Sequence, residues 1–173
     1  MKMLKIAGAV ALFATMATAQ GSKTAGPSDV LSTVQASKSL TSFGAALRIG
    51  GLVTTLRGQG PFTVIAPADG AFASLPKDEM QKLKASPAAM SFLLARYVVH
   101  GDIASSDTAL LSSARTLMGV TLRADHHDGE LRINGAKIVQ GDIRCANGVI
   151  HVVDHFDPGL VRDALAIASP NHR

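Results

Sequence analysis

The chain has 173 residues, 47% of them hydrophobic, which suits one domain with a core of its own. With no Trp, one Tyr and six Phe, that core has to be aliphatic. Its 17 Lys and Arg against 13 Asp and Glu give +4, or +2 without Lys2 and Lys5 of a removable leader, and no basic run occurs, which excludes a nucleic-acid footprint.

Residues 1–19 read as a secretory signal peptide. Lys2 and Lys5 supply the positive start, Ile6 to Met16 a short apolar stretch, and Ala17-Thr18-Ala19 the small-x-small pattern for cleavage after Ala19. A retained membrane span needs about 20 apolar residues, and no later segment is long and apolar enough. The mature protein is therefore expected to be secreted or periplasmic, with no transmembrane segment. Residues 20–27 are small and polar, as in a flexible leader.

Ser28 is expected to cap a helix carrying Val30, Leu31 and Val34 on one face. A second segment carries Phe43, Ala46, Leu47 and Leu52, and Gly50-Gly51 breaks it, which predicts two or three short helices. Gly60-Pro61 marks a turn before a buried strand over Phe62 to Ala66, stopped by Pro67. Asp69 is expected to cap a short helix through Leu75 by accepting its free amide hydrogens. Pro76, followed by Asp78 and Glu79, opens the next helix. Ser86-Pro87 starts another, with Met90, Leu93, Leu94, Tyr97 and Val98 spaced as a core-facing stripe.

From Arg115 the apolar period changes to two, so Thr116 to Met118 and Val120 to Ala124 read as strands. Asn134-Gly135 and Asn147-Gly148 both read as hairpin turns, because Asn and Gly tolerate the positive φ of two-residue loops. With Asn147-Gly148 as the loop, Cys145 faces Ile150, Ile143 faces Val152 and Arg144 faces His151. That puts Cys145 in the core, where a free thiol behaves as a small hydrophobe. As the one cysteine, it allows no internal disulfide. Helices first and strands later argue α+β.

Two of these stretches resemble the fasciclin domain family. Gly60-Pro61-Phe62-Thr63-Val64-Ile65-Ala66-Pro67-Ala68-Asp69-Gly70-Ala71-Phe72-Ala73-Ser74-Leu75-Pro76 is similar to its first block, and Asn147-Gly148-Val149-Ile150-His151-Val152-Val153-Asp154 to its second. The resemblance covers residues 28–158 and leaves 159–173 as a helical C-terminal tail. It implies a β-wedge of antiparallel strands packed with a layer of short helices. It also marks Thr63, Pro67, Asp69, Phe72, Asn147, Gly148, His151 and Asp154 as motif residues, mostly structural. The role it implies is an exported, non-catalytic binding or adhesion module, without cofactor, contacting a cell-surface or matrix protein or polysaccharide. Two departures stand out: Arg96-Tyr97 lies where members often carry Tyr-His, and Ala68 replaces a frequent hydroxyl residue.

The residues themselves carry little chemistry. His126-His127, between Asp125 and Asp128, are expected in an exposed loop, and neighbours on a strand end point to opposite sides. His151 and His155 would lie about 13 Å apart on a strand rising about 3.3 Å per residue, too far to share an ion. His151 reads as a structural histidine bonded inside the domain. A metal- or haem-handling role through His100, His126, His127 or His155 is the alternative reading. There is no Gly-x-Ser-x-Gly elbow and no phosphate loop ending in Lys-Ser/Thr, so no enzyme is expected. The segments Ser105 to Thr108 and Asp125 to Gly129 are candidate contact loops.

Overall fold

The structure, a computed structural model, describes residues 28–169; the expected leader, the segment 20–27 and residues 170–173 lie outside the described residues. The chain opens with three short helices, α1 (Val30–Ala36), α2 (Thr41–Ile49) and α3 (Val53–Leu56). Strand β1 (Phe62–Pro67) follows, then α4 (Asp69–Ser74), α5 (Lys77–Ala85) and α6 (Pro87–Ala95). After β2 (Val98–His100) and α7 (Thr108–Ser113) come β3 (Ala124–His127), β4 (Glu130–Ile133), β5 (Ala136–Cys145) and β6 (Gly148–Val153), and α8 (Pro158–Ala168) closes the described chain. The architecture is α+β.

The strands form one curled sheet in the order β2-β1-β6-β5-β4-β3. All neighbouring pairs are antiparallel except β1 and β6, which run parallel in register from Phe62 opposite Gly148 to Pro67 opposite Val153. The sheet is thus mixed, and the long stretch of chain between β1 and β6 supplies the crossover that a parallel pair needs. Every residue of β1 and β6 is buried. That is the pattern of strands covered on both faces.

Local signals account for several elements. Ser86 accepts the Ala89 amide with Pro87 at the first turn of α6. Asn134-Gly135 turns β4 into β5, both at positive φ. Other elements differ from the sequence reading. The first helix is capped by Asp29, whose carboxylate accepts Ser32 N at 2.6 Å, and not by Ser28. Helix α6 ends at Ala95, so Tyr97 and Val98 are buried by a chain that has left the helix, Val98 within β2. Between Arg115 and Thr121 there are only isolated bridges, Val99 to Thr116 and Arg115 to Thr121. Helix α7, capped by Asp107 through Leu110 N, has no counterpart in the sequence reading.

The second hairpin turns one residue earlier than expected. Its loop is Ala146-Asn147, so Cys145 faces Gly148 and Ile143 faces Ile150. Tertiary contacts decide this. Asn147 Oδ1 accepts Val30 N at 2.8 Å, its Nδ2 donates to the carbonyls of Leu56 and Gly58, each at 2.9 Å, and its carbonyl accepts Phe62 N at 3.0 Å. Gly148 then lies so close to β1 that a β-carbon on it would sit 2.0 Å from the Phe62 carbonyl oxygen. Gly60 is equally confined, with 2.2 Å from its notional β-carbon to the Asn147 carbonyl oxygen.

Helix α8 packs on α6 and α5, burying Leu160, Val161 and Ala164. Arg96 reaches Asp163 at 2.8 Å, and the Tyr97 hydroxyl accepts Asp157 N at 3.0 Å. The Arg96-Tyr97 pair therefore docks this terminal helix.

Gly148→Ala is expected to lower the unfolding free energy by about 3 kcal/mol or more, because backbone must move to admit the methyl group. Gly70→Ala, on the exposed side of α4 with nothing within 4 Å, is expected to be neutral or to stabilise by up to about 1 kcal/mol. Urea midpoints of the two variants measure the contrast.

Candidate functional site

The motif residues of β1 and β6 gather one segment of chain. Thr63 Oγ1 donates to the Gly101 carbonyl at 2.7 Å and accepts Ile103 N at 3.0 Å. His151, fully buried, accepts Asp142 N on Nδ1 at 3.1 Å. Its proton therefore sits on Nε2, which donates to the Ile103 carbonyl at 2.9 Å. The Asp142 carboxylate accepts Ser105 N at 2.9 Å and the Ser105 hydroxyl. Arg144 bonds Asp102 at 2.6 Å. Residues 101–105 are thus held by side chains of β1, β5 and β6.

Burial pushes the His151 imidazole below its ordinary 6.5. The bonds from Ser105 hold the Asp142 carboxyl below the usual range, and burial pushes the Tyr97 hydroxyl up. Cys145, expected in the core, is only half-buried. The earlier turn leaves it beside the loop at the end of the sheet, its Sγ donating to Thr33 Oγ1 at 3.4 Å, and desolvation raises the thiol.

Asp69 does not cap its own helix. Its carboxylate accepts Ser42 N at 2.6 Å and Thr41 N at 3.3 Å, and so caps α2 from across the fold. Two residues before Asp69, Pro67 ends β1, and Phe72 stands edge-on to Phe156 with ring centroids 4.8 Å apart. Asp154 Oδ1 accepts Lys137 N at 2.9 Å and the Nδ1 proton of His155 at 2.6 Å. The polar motif residues therefore sit at separate joints of the scaffold and do not converge on one reacting point.

His126 and His127 lie in strand β3, not in a loop, opposite Leu131 and Glu130, and both are exposed. The strand forms because β4 offers it a partner across the Asp128-Gly129 turn, where both residues take positive φ. His127 pairs with Asp128 at 2.8 Å, and His100 tilts over the Phe62 ring at 5.4 Å. Among the described residues no group of three or more His, Cys, Asp or Glu could hold a metal ion.

Two clefts flank α4. One, of about 380 Å³, is lined by Ile49, Phe72, Met80 and Met90, with Asp69 and Lys84 also on its wall. The other, of about 450 Å³, opens between α4, α5 and α8. Neither had a signal in the sequence, because the walls come from helices far apart along the chain.

A family model described as Fasciclin domain matches residues 38–156. The chain belongs to the fasciclin family. It is 34% identical over 112 residues to Protein sll1483 of Synechocystis sp., covering 64% of this chain and 62% of that protein. It is 32% identical over 113 residues to the transforming growth factor-beta-induced protein ig-h3 of Sus scrofa, covering 65% of this chain and 16% of that one. The solved FAS1 domain pair of the insect cell adhesion molecule Fasciclin I shares the fold, with a TM-score of 0.67 at 19% identity over 75% of this chain and 50% of that chain. Fasciclin domains are in general non-catalytic adhesion or binding modules, and fasciclin homologues are typically secreted or extracellular. No helix of the described residues is long and apolar enough to cross a membrane.

Two predictions follow from the joints of this fasciclin scaffold. Asp69→Ala, by removing the cap of α2, is expected to cost about 1 kcal/mol in thermal or urea unfolding. For His151, the unfolded chain takes up a proton below pH 6.5 that the folded chain refuses. Stability is therefore complete above that pH and falls as pH drops toward the lowered folded value, by at most about 1.4 kcal/mol per pH unit. The contribution of Asp142 belongs to a separate window, below 3.8. His151→Gln is expected to flatten the dependence between about pH 7 and 5; urea titrations at stepped pH compare the slopes.

Proposed function

We propose that this protein is an exported binding module that contacts a protein or polysaccharide of the cell surface, matrix or envelope and carries out no reaction on it. The observation that carries the reading is the fasciclin match over residues 38–156. It is supported by where the polar motif residues direct their bonds. Thr63, Asp69, Asn147, His151 and Asp154 all bond backbone groups of the chain itself. Together with Pro67, Phe72 and Gly148, they serve the scaffold, and recognition falls to the surface. Domain 28–158 with the C-terminal tail 159–173 is the working part, released by cleavage after Ala19.

Within that surface, Ser105 to Thr108 is the favoured contact segment. Its base is fixed by Thr63, His151 and Asp142, while Ser106 is exposed. Loops that carry recognition work best on a rigid base.

The test is capture from the envelope fraction of the producing cells on immobilised, folded protein. A component retained reproducibly, and lost when Ser106 and Asp107 are both replaced by Ala, is the expected outcome. Failure to retain any component, together with unchanged surface attachment in cells lacking the protein, would count against the reading.

A further inference from the structure

The cleft between α4, α5 and α8 carries opposite charges on two of its helices. Its volume is about 450 Å³, at the small end of the roughly 300–1,000 Å³ common for small-molecule sites. Leu75, Phe156, Val161 and Leu165 give it an apolar lining. Glu79 enters from α5 and Arg162 from α8. Neither makes an ion pair with a described residue, although the acid beside each one does: Asp78 pairs with Lys82, and Asp163 with Arg96. Helix geometry explains the split, since consecutive residues point about 100° apart at 3.6 residues per turn. Asp163 turns toward α6 and Arg162 toward the cleft.

His155 lies in the same cleft. Its Nδ1 faces the Asp154 carboxylate at 2.6 Å, and no described residue bonds its Nε2. The cleft therefore offers a planar cationic fork, a carboxylate, an unbonded imidazole nitrogen and an apolar lining. An anion alone would face Glu79, a cation alone would face Arg162, and a neutral apolar molecule would leave both charges without a partner.

We propose that this cleft binds a small zwitterion with an apolar side chain, of the amino-acid or dipeptide class with both ends free. The ligand carboxylate meets Arg162, which suits bidentate pairing. Its ammonium meets Glu79, and its side chain covers Phe156 and Leu165. This goes beyond the adhesion reading and does not depend on it.

The experiment is a nuclear magnetic resonance titration of the labelled protein with leucine and leucyl-leucine, set against N-acetyl-leucine, leucine amide and N-acetyl-leucine amide. At least one free zwitterion is expected to saturate shifts at Leu75, Phe156 and Leu165. Blocking either end is expected to weaken binding about tenfold. Arg162→Gln weakens the free zwitterion by a similar factor but leaves the amide unaffected, and Glu79→Gln does the same toward the acetylated form, as coupled pairs require. Both side chains are at the surface, and an unchanged thermal midpoint confirms that the variants fold. Absence of saturable shifts with either zwitterion, equal binding of N-acetyl-leucine amide, or indifference to both substitutions would overturn the proposal.

Discussion

Two backbones meet where β1 and β6 begin, with no room for a side chain between them. The carbonyl of Asn147 receives the Phe62 amide, and Gly60 and Gly148 stand where any β-carbon would strike the opposite strand. That contact starts the only parallel pair of the sheet among the described residues, and β5, β4 and β3 are laid outward from it. The Asn147 side chain adds the first and third helices to the same point. Because this amide is an acceptor toward one helix and a donor toward another, it satisfies terminal groups that burial would otherwise leave without partners.

The same economy of polar groups recurs at the other joints. A carboxylate on α4 closes the start of α2, and a buried imidazole holds β5 on one nitrogen and the segment before α7 on the other. Each of these side chains links elements distant in sequence, so each is both a packing constraint and a hydrogen-bond partner. In a chain without a disulfide, such joints and an aliphatic core are what set the sheet against the helices.

The helical side is held differently. Helix α5 buries a single residue, Leu83, and the clefts on either side of α4 separate it from a tight fit. The sheet centre, with every residue of β1 and β6 buried, is the rigid half of the molecule. Regions with few buried apolar contacts open most readily, which places adaptable surface at α5 and the clefts beside it and fixed geometry beneath the loop at residues 101–105. Adhesion through loops and small-ligand capture between helices would use these two halves separately.

Much of the fold was legible along the chain. The broken first helices, the buried strand at Phe62, the Ser86-Pro87 start and the Asn134-Gly135 turn depend on groups only a few residues apart, and so does the resemblance carried by the two motif blocks. Propensity, capping and turn chemistry act over that range. What they could not decide was the partner of a side chain lying far away in sequence. Asn147 looked like half of a turn until Val30, 117 positions earlier, claimed its side chain and moved the register. Asp69 looked like the cap of the helix it begins, yet it caps α2, 27 positions earlier. The cleft bearing Glu79 and Arg162 exists only once α5 and α8 are packed. By itself the sequence determined most of the helices, the buried strands β1 and β6 and the family to which the chain belongs, but not α7 or the strand β3. The tertiary structure decided where each polar group finds its partner, because a hydrogen bond depends on distance in space and is indifferent to distance along the chain.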